Sequence, residues 1–236
     1  MTNEQLLENV ALVRERMKRA AASAGRDPKE ILLCAASKTQ DAQTVRMAAD
    51  MDIDLFGENR VQELTSKHAQ GAYGTKPLHF IGHLQTNKVR QVVGVASLIQ
   101  SVDSEHLLHS IETQAEKLNI CQDILLEVNI GEEASKSGVS AKNLHALVEA
   151  ASILPHVRVR GLMAIPPAQC TPDQTRRHFA EMRRLFEKIG NEKILNVCME
   201  YLSMGMSGDF EIAIQEGANL VRVGTALFGA RDYFIK

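Results

Sequence analysis

The feature that most constrains this chain is an alternation. Short apolar runs recur along its length at residues 31–37, 55–58, 78–82, 98–102, 123–129, 157–164, 201–204 and 220–223. Between them lie segments with helical periodicity, at 42–51, 61–68, 87–93, 104–118, 143–153, 172–189 and 210–216. One more amphipathic segment comes first, at 3–24, with apolar Leu6, Leu7, Val10, Leu12, Val13 and Met17 set among charges. Gly25 and Pro28 end it. Regular strand–helix alternation implies a parallel sheet with right-handed crossovers. Nearly unbroken apolar runs suit strands covered on both faces.

Eight such steps predict closure into a (β/α)8 TIM barrel with an extra N-terminal helix. An open doubly wound sheet is the rival, but no G-x-G-x-x-G follows a strand. No linker or low-complexity stretch divides the chain, so residues 1–236 are expected to form a single domain.

Charge and cysteine usage narrow the function classes. The formal net charge is −2, which gives no basic field for nucleic acid or an anionic membrane. No run approaches the roughly 20 apolar residues of a membrane span, and the start, Met-Thr-Asn-Glu-Gln, has no signal-peptide character. Cys34, Cys121, Cys170 and Cys198 form no C-x-x-C pair. His106 and His109 have no evident third ligand, so no metal site is expected. Together these features predict a cytoplasmic protein.

The first apolar run, Ile31-Leu32-Leu33-Cys34-Ala35-Ala36-Ser37, ends in Lys38. A lysine at the mouth of a buried strand is costly unless paired, solvated or neutral. That placement suits Schiff-base chemistry. In a barrel the functional face is the C-terminal end of the strands. The other residues expected there are Glu58-Asn59-Arg60, His83, Gln85, Asp103, Asn129, Met163, Ser203 and Arg222. After the seventh strand comes Ser203-Met204-Gly205-Met206-Ser207-Gly208-Asp209, with Ser207 as a helix N-cap whose hydroxyl can turn to an anion. On the eighth lies Arg222-Val223-Gly224-Thr225. Turns after strands seven and eight, with a short helix start, form a recurrent phosphate site of this fold. A strand-end lysine facing a phosphate cup leaves two classes open: pyridoxal 5'-phosphate (PLP) held by the lysine, or a Schiff-base lyase acting on a phosphorylated sugar. Arg222 favours the first, because an arginine facing a pyridine nitrogen keeps it unprotonated.

The chain resembles the YggS/PROSC-type pyridoxal phosphate homeostasis proteins. The matching segments are Ala36-Ser37-Lys38-Thr39, Phe56-Gly57-Glu58-Asn59-Arg60-Val61-Gln62-Glu63 and His79-Phe80-Ile81-Gly82-His83-Leu84-Gln85-Thr86-Asn87-Lys88. They continue through Val128-Asn129, Lys136-Ser137-Gly138, Arg160-Gly161-Leu162-Met163 and Leu202-Ser203-Met204-Gly205-Met206-Ser207 to Arg222-Val223-Gly224-Thr225-Ala226-Leu227-Phe228-Gly229. Two departures are local: Leu78 stands where the family usually has Trp, and a usual proline is missing from Gln40-Asp41-Ala42.

The resemblance implies the alanine racemase-like barrel of PLP fold type III, without the C-terminal β-domain. It implies Lys38 as the Schiff-base lysine and a phosphate held by Ser203, Ser207, Gly224 and Thr225. It sets Arg222 toward the ring nitrogen, with Asn59 and Met163 beside the ring. It also implies storage and delivery of PLP, with PLP-dependent apo-enzymes as recipients, in place of robust turnover. Racemases of this fold add a partner-subunit tyrosine; here Tyr73, Tyr201 and Tyr233 are the only tyrosines. A racemase- or decarboxylase-like enzyme is the alternative. Lys88 and Lys136 are candidates for a second PLP contact.

Overall fold

The computed structural model describes residues 1–133 and 137–229. The elements run α1 (Asn3–Ser23), β1 (Leu32–Ala36), α2 (Ala42–Ala49), β2 (Leu55–Glu58), α3 (Val61–Ala69), β3 (Leu78–Phe80), β4 (Leu98–Val102), α4 (Glu105–Leu118) and β5 (Gln122–Val128). They continue as α5 (Leu144–Ser152), β6 (Val157–Ala164), α6 (Pro172–Asn191), β7 (Val197–Ser203), α7 (Phe210–Gln215), β8 (Leu220–Val223) and α8 (Thr225–Phe228). The eight strands form a closed parallel barrel in sequence order, with β8 paired to β1. The predicted barrel with its preceding helix is therefore what the chain adopts. No helix of the described residues is long and apolar enough to cross a membrane.

Two apolar layers follow from strand alternation. Outward residues such as Leu33, Phe56, Phe80, Ile99, Ile124 and Leu126 pack under the helices. Inward residues build the barrel filling: Cys34, Leu55 and Leu220 on one side, Leu98, Leu125 and Met163 on the other, bridged by Tyr201. The preceding helix earns its place in this layering. α8 is a single turn of four residues, too short to shield the β8–β1 seam. α1 supplies Leu6, Val10, Val13, Met17, Ala20 and Ala21 on one buried stripe. It is tied to the end of the chain by Asn9 Nδ2, which donates to Leu227 O at 2.9 Å. Arg16 pairs with Glu211 at 2.7 Å and covers the Phe210 ring.

Local signals set the boundaries. Thr2 and Thr171 each close a capping box with the glutamine three residues on, and Pro172 begins α6 where proline costs no hydrogen bond. Three expectations need correction. The crossover from β3 to β4 is a 3-10 turn, Thr86–Gln91, in place of an α-helix over 87–93. Gly190 does not close α6, which runs through it to Asn191; a Cβ there would stand 3.3 Å from Met199 Cβ, so the glycine lets helix and strand approach. β7 begins at Val197, earlier than 201, because its first half alternates half-buried and exposed residues and lacks an apolar run.

The barrel wall has one demanding contact. Gly161 sits in β6 at φ +146°, where a Cβ would lie 1.9 Å from Tyr201 O. It also marks a shift in the β6–β7 register. Substitution there strains the backbone and forces two strands apart. Gly161→Ala is expected to destabilise the protein by more than about 2 kcal/mol, read as a lower denaturation midpoint in urea; an unchanged midpoint would show that the wall yields at this point.

Candidate cofactor site

β1 carries the central lysine to the mouth of the barrel. Ser37 is fully buried, and Lys38 emerges half-buried beside it. Thr39 follows at φ +68°, a left-handed conformation that β-branched residues resist. Its N–H donates to Glu63 Oε2 at 2.7 Å, which holds the turn that directs the chain away after Lys38.

A compact buried network stands behind the lysine. Glu58 Oε1 accepts from Ser37 Oγ at 2.6 Å, Lys67 Nζ at 2.7 Å and Tyr73 OH at 3.2 Å. Lys67 Nζ also donates to Ser37 O at 2.8 Å. Burial lifts the Glu58 pKa above the usual carboxylate range although Lys67 and Ser37 favour its charged form. Burial and the Glu58 charge push the Tyr73 phenol up in turn. The ion pair therefore ties the end of β1, through Ser37, to β2 and α3, one residue before Lys38.

Barrel closure brings Lys38 to the other end of the chain. Lys38, Thr39 and Gln40 line one small cleft with Ala36, Gly224, Thr225 and Phe228. Gly224 fits tightly there: a Cβ would meet Ala36 O at 3.2 Å. The Ser207 hydroxyl reaches the same turn and accepts from the Gly224 and Ala226 N–H groups, 3.2 Å each. Ser207 is thus not the helix N-cap. Asp209 takes that position, and its carboxylate accepts from Met206 N at 2.6 Å. Gly205 holds φ +90° against Phe210 and Ala213, so the turn before Ser207 needs its missing side chain.

The remaining predicted residues lie deeper or to the side. Arg222 is in register with Cys34, one inward step below the cleft. Its Nη1 donates to Ser203 Oγ at 2.5 Å and its Nη2 to Ala164 O at 2.9 Å. Burial lowers the Arg222 pKa, opposed by the charges of Glu127 and Asp209. The Cys34 thiol, wholly buried, is pushed up to about 12 and stays neutral. Ser203 does not line the Lys38 cleft; its hydroxyl is committed to Arg222 and to Gln100 Oε1, at 2.6 Å. Met163, in register with Ser203, is packed with Leu98 and Leu125 inside the barrel. Asn59 lies at the end of β2, with its backbone carbonyl against Gly82 and its side-chain oxygen buried without a hydrogen bond.

At the mouth, the His83 Nδ1 nitrogen faces both Ser137 Oγ, at 3.1 Å, and Asp103 Oδ2, at 4.0 Å. A nucleophilic relay uses opposite ring nitrogens, so this trio is not one. Lys88 is half-buried on the 3-10 turn, while Lys136 and Tyr233 lie outside the described residues.

Three polar residues inside the barrel were not singled out from the sequence: His79, Gln100 and Glu127. The signal was present. Leu98-Ile99-Gln100-Ser101-Val102 and Ile124-Leu125-Leu126-Glu127-Val128 each place a polar side chain in an otherwise buried strand. Glu127 is in register with Met163 and only 7% exposed. Burial, then the Asp103 charge, raise its pKa from 4.5 to about 7, against the pull of Arg222.

The fold and sequence of this barrel have well-defined relatives. The family described as alanine racemase, N-terminal domain, matches residues 4–232. A pyridoxal phosphate homeostasis protein of Aquifex aeolicus is 44% identical over 226 residues, covering 96% of this chain and 98% of its own. One of Escherichia coli is 38% identical over 232 residues, 97% of each chain. The structure of PipY of Synechococcus elongatus with PLP bound is 34% identical and superposes with a TM-score of 0.79, covering 91% of this chain and 100% of its own. An alanine racemase of Clostridium difficile shares 14% identity at a TM-score of 0.72, over 96% of this chain and 57% of its own, and shows the fold alone.

Glu127 generates a pH prediction. A carboxyl whose folded pKa is raised stabilises fully below its ordinary value and loses that stability as pH rises through the folded one. From pH about 4.5 to above 7 the loss is of the order of 3 kcal/mol. Glu127→Gln should therefore be more stable than the parent at pH 8 and not at pH 4.5, measured by urea unfolding at both. Equal stability differences at the two pH values would rule out the raised pKa. The chain belongs to the family of pyridoxal phosphate homeostasis proteins built on the alanine racemase N-terminal domain.

Proposed function

We propose that this chain binds pyridoxal 5'-phosphate at the C-terminal mouth of its barrel and holds it reversibly for storage and delivery, the whole chain acting as one cofactor-binding domain. The observation that carries this reading is the shared cleft. Lys38 from β1 and the Gly224–Thr225 turn after β8 line it together, and the Ser207 hydroxyl sits on two N–H groups of that turn. The name of the relatives and the PLP in the PipY structure support the same ligand.

The residues fit the group. PLP supplies an aldehyde that condenses with a neutral amine, releasing one water, and a phosphate that wants clustered donors. Lys38 offers the amine. Ser207, whose oxygen accepts from the Gly224 and Ala226 N–H groups, keeps its own proton to donate, and Thr225 offers a second hydroxyl beside it, suited to an anion at a turn. Arg222 presents a buried guanidinium toward the ring nitrogen, and Ser203 holds that guanidinium from below. Asn59 brings a buried acceptor oxygen still lacking a donor, as a ring-side contact would require. Met163 contributes apolar packing under the ring.

Holding fits the site better than turnover. Racemisation needs a second acid across the ring. Among the described residues, Tyr73 is engaged with Glu58, and Tyr201 lies low in the barrel filling. PLP-dependent apo-enzymes are the proposed recipients. One observation favours a second reading, a PLP-dependent racemase or decarboxylase: Glu127 is a buried carboxyl with a pKa near neutrality, a property that acid–base catalysts share. Assays of amino-acid racemisation and decarboxylation on the PLP-loaded protein decide between them; turnover lost in Glu127→Gln would establish the enzyme.

Adding PLP to the purified protein should produce a visible absorption band that Lys38→Ala abolishes. Arg222→Ala and Ser207→Ala should each weaken equilibrium PLP binding by about tenfold or more, the scale of one charge-assisted hydrogen bond. A band that survives loss of Lys38, or affinities unchanged in both other variants, would overturn the site.

A further inference from the structure

Inside the barrel, four side chains from four strands form one hydrogen-bonded line. Arg222 Nη1 meets Ser203 Oγ at 2.5 Å, Ser203 Oγ meets Gln100 Oε1 at 2.6 Å, and Gln100 Nε2 meets His79 Nδ1 at 2.8 Å. All four residues are buried, Gln100 and Ser203 completely. We propose that Gln100, backed by His79, is the positioning residue that orients Arg222 toward the cofactor ring, through a donor order that Arg222 itself imposes on the line. This inference rests on the PLP reading above for the role of Arg222, but the donor order stands without it.

The order follows from what each group can do. A guanidinium only donates. Ser203 must therefore accept from Arg222, and because its hydroxyl is buried with Gln100 Oε1 as its other partner at 2.6 Å, its own proton goes to that oxygen. That fixes the Gln100 amide: its NH2 side faces His79 and donates. His79 Nδ1 must then accept, so the proton of the neutral ring sits on Nε2. Burial drops the His79 pKa to about 3, so the ring stays neutral and the line does not reverse at ordinary pH. His79 also lines a hollow at the base of the barrel with Leu32, Leu55, Leu98 and Tyr201.

A neutral line has a consequence that a carboxylate would not. Both inward hydrogen bonds of Arg222 end on uncharged oxygens, Ser203 Oγ and Ala164 O. Glu127 and Asp209 act on Arg222 through their field, with no hydrogen bond to it among the described residues, and Cys34 beneath it is neutral. The guanidinium is thus oriented while its charge is left undivided for whatever lies above it. Gln100 is the hinge of this arrangement, since it alone in the line both accepts and donates through a rigid amide.

Two measurements test it. In the protein without PLP, 15N NMR at neutral pH should show His79 protonated on Nε2; protonation on Nδ1 would overturn the donor order whatever the cofactor. In the PLP-loaded protein, Gln100→Leu should weaken PLP binding by about tenfold and shift the visible band and its pH dependence, with Lys38 still attached. Ser203→Ala should do the same and Ser203→Thr, which keeps the hydroxyl, should restore both. Gln100→Glu, which adds a charge and removes the donor to His79, should move the spectrum and shift the His79 proton to Nδ1. Gln100→Leu that folds with parental circular dichroism yet keeps parental affinity and spectrum would refute the positioning role. A parent protein that takes up no PLP would refute the cofactor reading alone, leaving the NMR result to judge the line.

Discussion

The pairing of β8 with β1 is the contact on which this molecule depends. Leu32 to Ala35 run in register with Leu220 to Val223, and this ladder closes the sheet. Closure removes both sheet edges. It also seats Lys38 beside Gly224 and Thr225, and Cys34 beside Arg222. The seam is reinforced from outside. Arg26 Nη1 donates to the carbonyls of Ile214 and Ala218 at 2.7 Å each, and Arg14 holds Asp54, whose carboxylate also accepts from Leu33 N at 2.6 Å. α1 lies over the same seam because the last helix is too short to do so.

Two buried polar networks flank β1, one on each face. Outside the barrel, Ser37, Glu58, Lys67 and Tyr73 lock the strand to α3. Inside, Arg222, Ser203, Gln100 and His79 run across four strands. Buried charge is costly unless paired and hydrogen-bonded, and removing one partner strands the other. Each network therefore makes its residues interdependent. The outer one sets the position of the strand end that carries Lys38. The inner one sets the direction of the arginine below the cleft. A cofactor site built this way is organised before any ligand arrives.

Much of this was legible in the chain itself. Lys38 stood out because an ammonium ends an unbroken apolar run. Gly205, Ser207 and Gly224 stood out because glycine and small hydroxyl residues cluster after the last two strands, and the structure joins Ser207 to the Gly224 turn. A serine before a helix usually caps it, but the Ser207 hydroxyl finds two N–H groups from the turn after β8 and Asp209 takes the cap position. The family resemblance sets Ser203 among the phosphate residues; in the structure its hydroxyl is bonded to Arg222 and Gln100. The start of β7 was missed because Cys198 and Glu200 face solvent and dilute the apolar signal.

The sequence by itself determined the eight strands and their order, because apolar periodicity is a local property carried by neighbouring residues. It therefore determined the barrel, and it marked the lysine and the glycine turns that end its strands. Only the tertiary structure decided which polar groups meet. Gln100 in β4, Ser203 in β7 and Arg222 in β8 are far apart in the chain and become neighbours through closure and strand register. A polar residue in a buried strand faces either the helices or the barrel interior, and a single step of register exchanges the two. For that reason Glu58 and Glu127, alike as glutamates near strand ends, have opposite fates: one is paired outside the barrel with Lys67, the other is held inside it near neutrality.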